Sequence, residues 1–168
     1  GKYVLYHGNL SVNENEQAAL FLIEKVFSVL SIPFILAGKN PTKKLLLLVK
    51  NHSNIEIKSN LSHLEMQTLI EEAQLHVLPT FQPTGIKLKL LNALFNGRFC
   101  IANNEMVQET GLEKACILAN TAIEFQEKIK HYFERDFSES MLAERKKILQ
   151  KQFDNKTNAK KIVSCLNQ

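Results

Sequence analysis

The chain has 168 residues, of which 45% are hydrophobic and 23% are charged, the proportions of one ordinary globular domain with a sizeable core. No apolar run approaches the roughly 20 residues of a membrane span, and the first residues lack the pattern of a signal peptide. The cysteines are odd in number and far apart in the sequence, at Cys100, Cys116 and Cys165. They form neither a C-x-x-C motif nor a disulfide framework, so we expect a reducing, cytoplasmic environment.

The formal net charge of +4 is unevenly distributed, because most of the excess lies in residues 144–163. Two interpretations of this basic segment stay open. Its residues form the solvated face of terminal helices, or they contact an anionic membrane surface or a phosphate-bearing ligand. The second interpretation would place the protein peripherally at the inner face of a membrane. Nucleic acid is not expected as a partner, because no recognised nucleic-acid motif is present.

Short apolar runs alternate along the chain with longer segments of helical period. The predicted strands are 3–8, 33–38, 55–59, 75–79, 98–103 and 115–120. The predicted helices are 13–30, 41–51, 63–73, one that starts at Gly85, 122–133 and further helix to the chain end. Ser62 followed by Glu65 is typical of a capping box, and Pro41 suits a first helical turn.

Strand–helix alternation at this spacing predicts a parallel sheet that is covered on both faces. We therefore expect residues 1–168 to form one α/β domain, a Rossmann-like three-layer fold. It has about six parallel strands with helices on both faces and C-terminal helices packed across them. The chain starts without Met and enters a strand pattern at once, so we expect a fragment of a longer protein.

Glycines follow three of the predicted strands. Gly8 and Gly38 each end a strand, and Gly85 opens the helix after the fourth strand. Ligands of open α/β sheets bind outside the carboxyl ends of the strands, where the backbone must approach them closely. The three glycines together favour a ligand site at this edge, although each one alone is equally explained by a turn.

Several classes of α/β protein are excluded by residues that the chain lacks. Its aspartates are Asp136 and Asp154, far from any predicted strand end, whereas receivers and aspartate-nucleophile phosphatases need one there. There is no P-loop motif, no G-x-G-x-x-G after the first strand and no D-x-D for a metal–diphosphate complex. The histidines have no ligand-like spacing, so no metal site is expected. His7 alone precedes a glycine at a strand end and is a candidate for lining the site.

Four segments resemble, in order, the C-terminal half of GT-B glycosyltransferases of the group 1 (retaining) family. They are YVLYHGNLSVNENEQAALFLIE, PFILAGKNP, IEIKSNLSHLEMQTLIEEAQLHVLPTF and PTGIKLKLLNALFNGRFCIANNEMVQETGL. The resemblance covers nearly the whole chain and is strongest over residues 55–112. It implies two facing Rossmann-like domains, with this half holding a nucleotide diphosphate sugar and a missing N-terminal half holding the acceptor. It also implies transfer of a hexose without a bound metal or cofactor.

The sequence departs from the family at four positions. The family's two glutamates, with seven residues between them, fall on Thr84 and Asn92; the first commonly contacts the donor sugar and the second the ribose. The family's Arg and Lys on the diphosphate fall on Asn9 and Glu14, which reverses the local charge. A degenerate, non-catalytic glycosyltransferase-like module is therefore a second interpretation, and an unrelated Rossmann-like binding domain is a third.

The stretch after the fourth strand offers a physical basis for phosphate binding. A helix start presents unpaired N–H groups and a positive dipole end. If Gly85 opens the helix, the amides of Ile86, Lys87 and Leu88 point outward, and Lys87 or Lys89 replaces the missing basic pair. The predicted face of this helix toward the ligand contains Lys89, Asn92 and Asn96, and the predicted inward face contains Ile86, Leu90, Ala93 and Leu94.

The candidate donor-binding residues follow from these arguments together. They are Gly8, Asn9, Gly38, Lys39, Thr84, Gly85, Ile86, Lys87, Leu88, Lys89 and Asn92, with His7 and Glu14 as weaker candidates. No catalytic residue is assigned. The isolated domain is expected to transfer no sugar, because the family's cleft lies between two domains.

Overall fold

The structure is a computed structural model that describes residues 1–82, 85–153, 158–159 and 163–165. Its strands are β1 Val4–His7, β2 Phe34–Gly38, β3 Ile55–Ser59, β4 Leu75–Leu78, β5 Phe99–Ala102 and β6 Ile117–Leu118. They form one six-stranded sheet in the order β3-β2-β1-β4-β5-β6, and every pair is parallel. The predicted Rossmann-like α/β fold is confirmed.

Helices follow the strands in the predicted alternation. They are α1 Asn13–Phe21, α2 Lys43–Val49, α3 His63–Glu72, α4 Leu88–Asn96, α5 Asn104–Val107, α6 Ala122–Phe133 and α7 Glu139–Phe153. The predicted helix 13–30 consists of α1, a π-helical segment Leu22–Val26 and a 3₁₀ turn Phe27–Val29. The observed strand β6 is shorter than the predicted strand 115–120, because Ala115 belongs to a 3₁₀ turn, Glu113–Ala115.

Alternate residues of β1 contribute to two apolar layers, one on each face of the sheet. Val4 and Tyr6 belong to the larger core cluster, whereas Leu5 packs with Ile70 and Ala73 beside α3. Because helices cover both faces, every residue of β1 is buried. This is why central parallel strands appear in the sequence as continuous apolar runs.

Side-chain caps fix where several helices begin. Ser62 and Glu65 form the predicted capping box of α3, and the Thr42 hydroxyl accepts a hydrogen bond of 3.3 Å from the backbone N–H of Leu45. With Thr42 as the N-cap, α2 begins at Lys43. The prediction that Pro41 occupies the first turn of this helix is therefore wrong.

The C-terminal helix α7 is anchored to the sheet layer through one buried cation. The Arg145 guanidinium donates hydrogen bonds to the backbone carbonyls of Gly97 and Arg98, and Leu149 is fully buried. Arg145 thus belongs to the core, although it is part of the basic segment 144–163. Of that segment, residues 154–157 and 160–162 lie outside the described residues.

Two glycines make the loop after β1 fit against the end of β2. A Cβ atom on Gly38 would lie 1.7 Å from the carbonyl oxygen of Gly8, which is inside any acceptable contact distance. A Cβ on Gly8 would have the side chain of Asn15 as its nearest neighbour, at 3.2 Å. Gly38 is therefore required by packing against backbone, whereas Gly8 faces a side chain at a longer distance.

We expect Gly38→Ala to destabilise the domain by about 2 kcal/mol or more, because the backbone of the β1 loop must shift to admit the methyl group. Gly8→Ala is the matched control and should cost clearly less. The measurement is urea unfolding of both variants and the parent. Equal midpoints for Gly38→Ala and the parent would contradict this account of the contact.

Candidate functional site

The sheet order reverses between β1 and β4, which are adjacent strands with connections leading to opposite sides. In open α/β sheets this reversal leaves a crevice outside the carboxyl ends of the two strands. Here the loop after β1, the loop after β4 and the first turns of α1 and α4 converge there. We call this region the switch-point crevice.

A carboxylate from α1 lies at the centre of the switch-point crevice. Glu14 forms an ion pair with Lys87, with 3.0 Å between Oε1 and Nζ, and accepts a hydrogen bond of 2.6 Å from the Thr80 hydroxyl. The side chains of Glu14 and Lys87 are only 15% and 13% exposed. Burial acts to raise the pKa of Glu14, but the hydrogen bonds from Thr80 and Lys87 outweigh it and hold the pKa below its ordinary value.

A second lysine enters the same crevice from α4. The Lys89 ammonium donates hydrogen bonds to Asn15 Oδ1 at 2.6 Å and to the Tyr6 hydroxyl at 3.1 Å. Burial lowers the pKa of Lys89 to about 8, while the charge of Glu14 acts to raise it and that of Lys87 to lower it. With both lysines protonated, the two ammonium groups and one carboxylate carry a net charge of one positive unit.

Thr80 and Asn103, which lie just after β4 and β5, are hydrogen-bonded to each other beside the crevice. The backbone N–H of Thr80 donates to Asn103 Oδ1 at 3.0 Å, and Asn103 Nδ2 donates to the Thr80 carbonyl at 2.6 Å. Both residues are buried. Neither these two residues nor Asn15 and Tyr6 are among the site residues predicted from the sequence. The signal that points to Thr80 and Asn103 is position: Thr80 directly follows the predicted strand 75–79, and Asn103 is the last residue of the predicted strand 98–103.

The residues predicted after β1 and β2 lie at the edge of the crevice in different environments. Asn9 is exposed, and its Oδ1 accepts hydrogen bonds from the backbone and the hydroxyl of Ser11, at 3.2 and 2.9 Å. Gly38 is buried against the Gly8 carbonyl and is not available to a ligand. Lys39 is exposed, and its carbonyl accepts a hydrogen bond of 2.9 Å from Leu10.

The prediction that Gly85 opens α4 is wrong. Gly85 has a left-handed backbone, with φ at 60°, and the helix begins three residues later at Leu88 with Lys87 as its N-cap. Ile86 does not pack inward as predicted, since it is 45% exposed in the loop before the helix. The predicted inward residues Leu90, Ala93 and Leu94 are fully buried.

Asn92 lies on the exposed side of α4, about one turn after the first helical residue, Leu88. Its Oδ1 accepts a hydrogen bond of 2.7 Å from Asn96. The two amides line a cavity of about 160 Å³ together with His63, Met66, Gln67 and Ile70 of α3. Lys89 does not share this face in the structure, because its side chain turns toward β1. Thr84 lies outside the described residues.

His7 is buried beneath the crevice. It is 5% exposed, and neither ring nitrogen has a hydrogen-bond partner within the described part of the chain. Its ring packs edge-on against His76, with 5.9 Å between centroids. Burial and the charge of Lys89 lower the pKa of His7 to about 4, so the imidazole is neutral at physiological pH.

A cavity of about 840 Å³ lies at the opposite edge of the sheet, lined by residues such as Lys2, Pro33 and Asn54. We place the functional site at the carboxyl edge instead, because the charged side chains of Glu14, Lys87 and Lys89 converge there. Within residues 1–82, 85–153 and the short described segments after them, no group of three His, Cys, Asp or Glu side chains is arranged to hold a metal ion. No helix in the same residues is long and apolar enough to cross a membrane.

Together, the sheet order and the charged crevice define a doubly wound α/β domain with an anion-compatible site at its switch point. The family described as Glycosyl transferases group 1 matches residues 1–135, and the chain belongs to this family. No curated protein sequence matches it significantly.

Solved structures of GT-B glycosyltransferases share the fold. OtsA in its apo form matches with a TM-score of 0.75 at 10% identity, over 99% of this chain and 44% of that one. Anabaena Alr3699/HepE, solved in complex with UDP and glucose, matches with a TM-score of 0.71 at 14% identity, over 99% and 48%. A variant of S. aureus TarM in complex with fondaparinux, alpha-GlcNAc-glycerol and UDP matches with a TM-score of 0.73 at 14% identity, over 99% and 36%. The chain thus spans less than half the length of each.

The low pKa of Lys89 predicts how stability depends on pH. The value is about 8 in the folded chain against an ordinary 10.5, so between these values the unfolded chain binds more protons at this position. Stability should therefore rise with pH in this window. Below pH 8 both states are charged, and burying the charge is a constant cost.

Replacing Lys89 by Met should abolish this rise, which is on the order of 2–3 kcal/mol for a pKa difference of this size. Urea unfolding at pH 7.5 and pH 10 measures the difference. The exposed Lys39→Met variant serves as the control for losing one positive charge. If the parent and Lys89→Met show parallel pH dependence, Lys89 is not the buried cation described above.

Proposed function

We propose that this chain is the donor-binding domain of a retaining, metal-independent glycosyltransferase that moves a hexose from a nucleotide diphosphate sugar to an acceptor. The observation that carries the proposal is the pair of lysines from α4, Lys87 and Lys89, held in the switch-point crevice. Family membership supports the transferase activity and removes the interpretation as an unrelated Rossmann-like domain.

The lysines replace the two basic residues after the first strand that contact the diphosphate in the family. Those positions are Asn9 and Glu14 here, but Lys87 Nζ lies 3.0 Å from Glu14 Oε1, so positive charge returns to the same place from another helix. A diphosphate leaving group gains negative charge in the transition state, and fixed cations in a partly dry crevice stabilise it. The nearby first turns of α1 and α4 add the positive ends of two helix dipoles.

Asn92 is proposed to contact the ribose. Its amide is exposed on α4 and offers both a donor and an acceptor to a pair of hydroxyl groups. A neutral amide loses the charge-assisted hydrogen bonds that a glutamate would make, so the ribose is held less strongly than in relatives with glutamate there. The sugar-contacting role of Thr84 remains part of the proposal, outside the described residues.

The acceptor is proposed to bind to a second, N-terminal domain that is absent from this chain. The 36–48% of each solved relative that this chain covers leaves room for such a domain. Isolated, the present chain should therefore bind the donor without transferring the sugar.

A cytoplasmic location is proposed, with α7 held against anionic lipid through its exposed lysines Lys146, Lys147 and Lys151.

A non-catalytic binding module is the second candidate, and Glu14 favours it. Its carboxylate already satisfies Lys87 and Thr80 inside the crevice, so an incoming diphosphate must displace it or accept its repulsion. Titration with UDP, GDP and their sugars tests the donor site. Sugar transfer by the chain joined to its N-terminal domain then decides between enzyme and module.

Charge removal at the two lysines tests the assignment of the diphosphate. Lys87→Gln and Lys89→Gln should each weaken nucleoside diphosphate about tenfold, as expected for one charge-assisted hydrogen bond of about 1.4 kcal/mol. Calorimetric titration measures the loss. Lys130→Gln, at the exposed last turn of α6, is the matched control. If both crevice variants bind as tightly as the control, the diphosphate is not held by these lysines.

Asn92→Ala separates the ribose from the phosphates. The variant should bind nucleoside diphosphate several-fold more weakly, by about 1 kcal/mol, yet bind inorganic pyrophosphate as well as the parent does. The same calorimetric titration with both ligands is sufficient. Equal losses for both ligands would place Asn92 at the phosphates or in the fold, and no loss for either would remove it from the site.

A further inference from the structure

Two cysteines that are distant in the sequence are neighbours in the sheet. The parallel register that pairs Ile101 with Ile117 puts Cys100 beside Cys116, one residue earlier on each segment. Cys116 has extended backbone, with φ −117° and ψ 157°, so the strand geometry already holds at this residue. Neighbouring strands are about 4.8 Å apart, and a disulfide accepts Cα separations of about 4.4 to 6.8 Å.

The surroundings of the pair differ for its two members. Cys100 is 2% exposed, whereas Cys116 is partly exposed, and both line a cavity of about 410 Å³ that Arg145 and Lys114 also line. Hydrogen bonding to Cys116 and burial raise the pKa of the Cys100 thiol, so Cys100 keeps its proton. A reagent in the cavity therefore meets the sulfur of Cys116 before that of Cys100.

We propose that Cys100 and Cys116 form a reversible oxidation site that closes to an intrachain disulfide between β5 and the segment entering β6. The oxidant is a peroxide. The Cys116 thiolate attacks one peroxide oxygen, an S–O bond forms as the O–O bond breaks, and water leaves after protonation. The Cys100 sulfur then attacks the Cys116 sulfur, the S–O bond breaks, and the hydroxyl leaves as water with the Cys100 proton.

Two thiols thus give up two electrons to one peroxide, which becomes two molecules of water. An external dithiol reverses the step. Such a pair is consistent with the reducing environment expected from the sequence, because disulfides in that setting are mostly transient. The fold supplies the proximity that neither the spacing nor the odd number of cysteines indicates.

The experiment uses the full 168-residue chain with the exposed Cys165 changed by Cys165→Ser, which prevents cross-linking between copies. After treatment with hydrogen peroxide, thiols are labelled under denaturing conditions and the intact mass is measured. We expect loss of two hydrogen atoms, loss of both labels, a linked peptide containing positions 100 and 116, and full recovery with dithiothreitol. Adding Cys116→Ser should leave the Cys100 label intact.

Persistent labelling of both thiols would overturn the proposal, as would oxidation of Cys116 to sulfinic acid without a cross-link. A second measurement needs no change to either cysteine of the pair. Phenylarsine oxide bridges two close thiols, so the Cys165→Ser chain should take up one equivalent that an excess of monothiol does not remove. Failure to form this adduct under native conditions would show that the two sulfur atoms are too far apart.

Discussion

The site depends on one constraint of the sheet topology. After β3, at one edge of the sheet, the chain returns to the middle and places β4 beside β1. Parallel strands need crossover connections, and these are right-handed. The connections of β1 and β4 therefore lead away from each other and leave the carboxyl ends of both strands uncovered. Side chains from α1 and α4 can then meet although they are remote in the sequence. Glu14 and Lys87 are such a pair.

Burial explains why the crevice residues are paired as they are. An ammonium group with as little exposure as Lys87 is costly unless an opposite charge or several acceptors compensate for it. Glu14 supplies the charge, and Thr80 and Asn103 fix its surroundings through a chain of hydrogen bonds that reaches β5. Lys89 relies on neutral oxygen atoms of Asn15 and Tyr6. Its ammonium therefore loses its proton more readily than an exposed lysine does.

The sequence predicted the sheet well, because buried parallel strands and amphipathic helices have strong periodic patterns. The start of α4 was predicted wrongly for a specific reason. The starts of α3 and α6 are indicated in the sequence by Ser62 and Thr121, whose side chains cap these helices. The N-cap of α4 is Lys87, which makes no side-chain cap hydrogen bond. The sequence predicts a start at Gly85 because a run of helix-forming residues follows this glycine. Its left-handed backbone instead turns the loop before the helix.

Lys87 and Lys89 were predicted as the replacement for the missing basic pair, but the ion pair of Lys87 with Glu14 was beyond sequence reasoning. Comparison with the family shows an acid, Glu14, where a base is expected, and this suggests a lost site. The compensating lysine is 73 residues away along the chain, and only the reversal of strand order brings it there.

The distribution of charge over the helices also has a physical logic. Glu14 lies in the first turn of α1, where a negative charge is favourable. Lys87 lies at the start of α4, where a positive charge is unfavourable. Lys87 is therefore held by its ion pair against the dipole of its own helix. An anion in the crevice would relieve that opposition, because it would interact favourably with both lysines and with the amino-terminal ends of both helices at once.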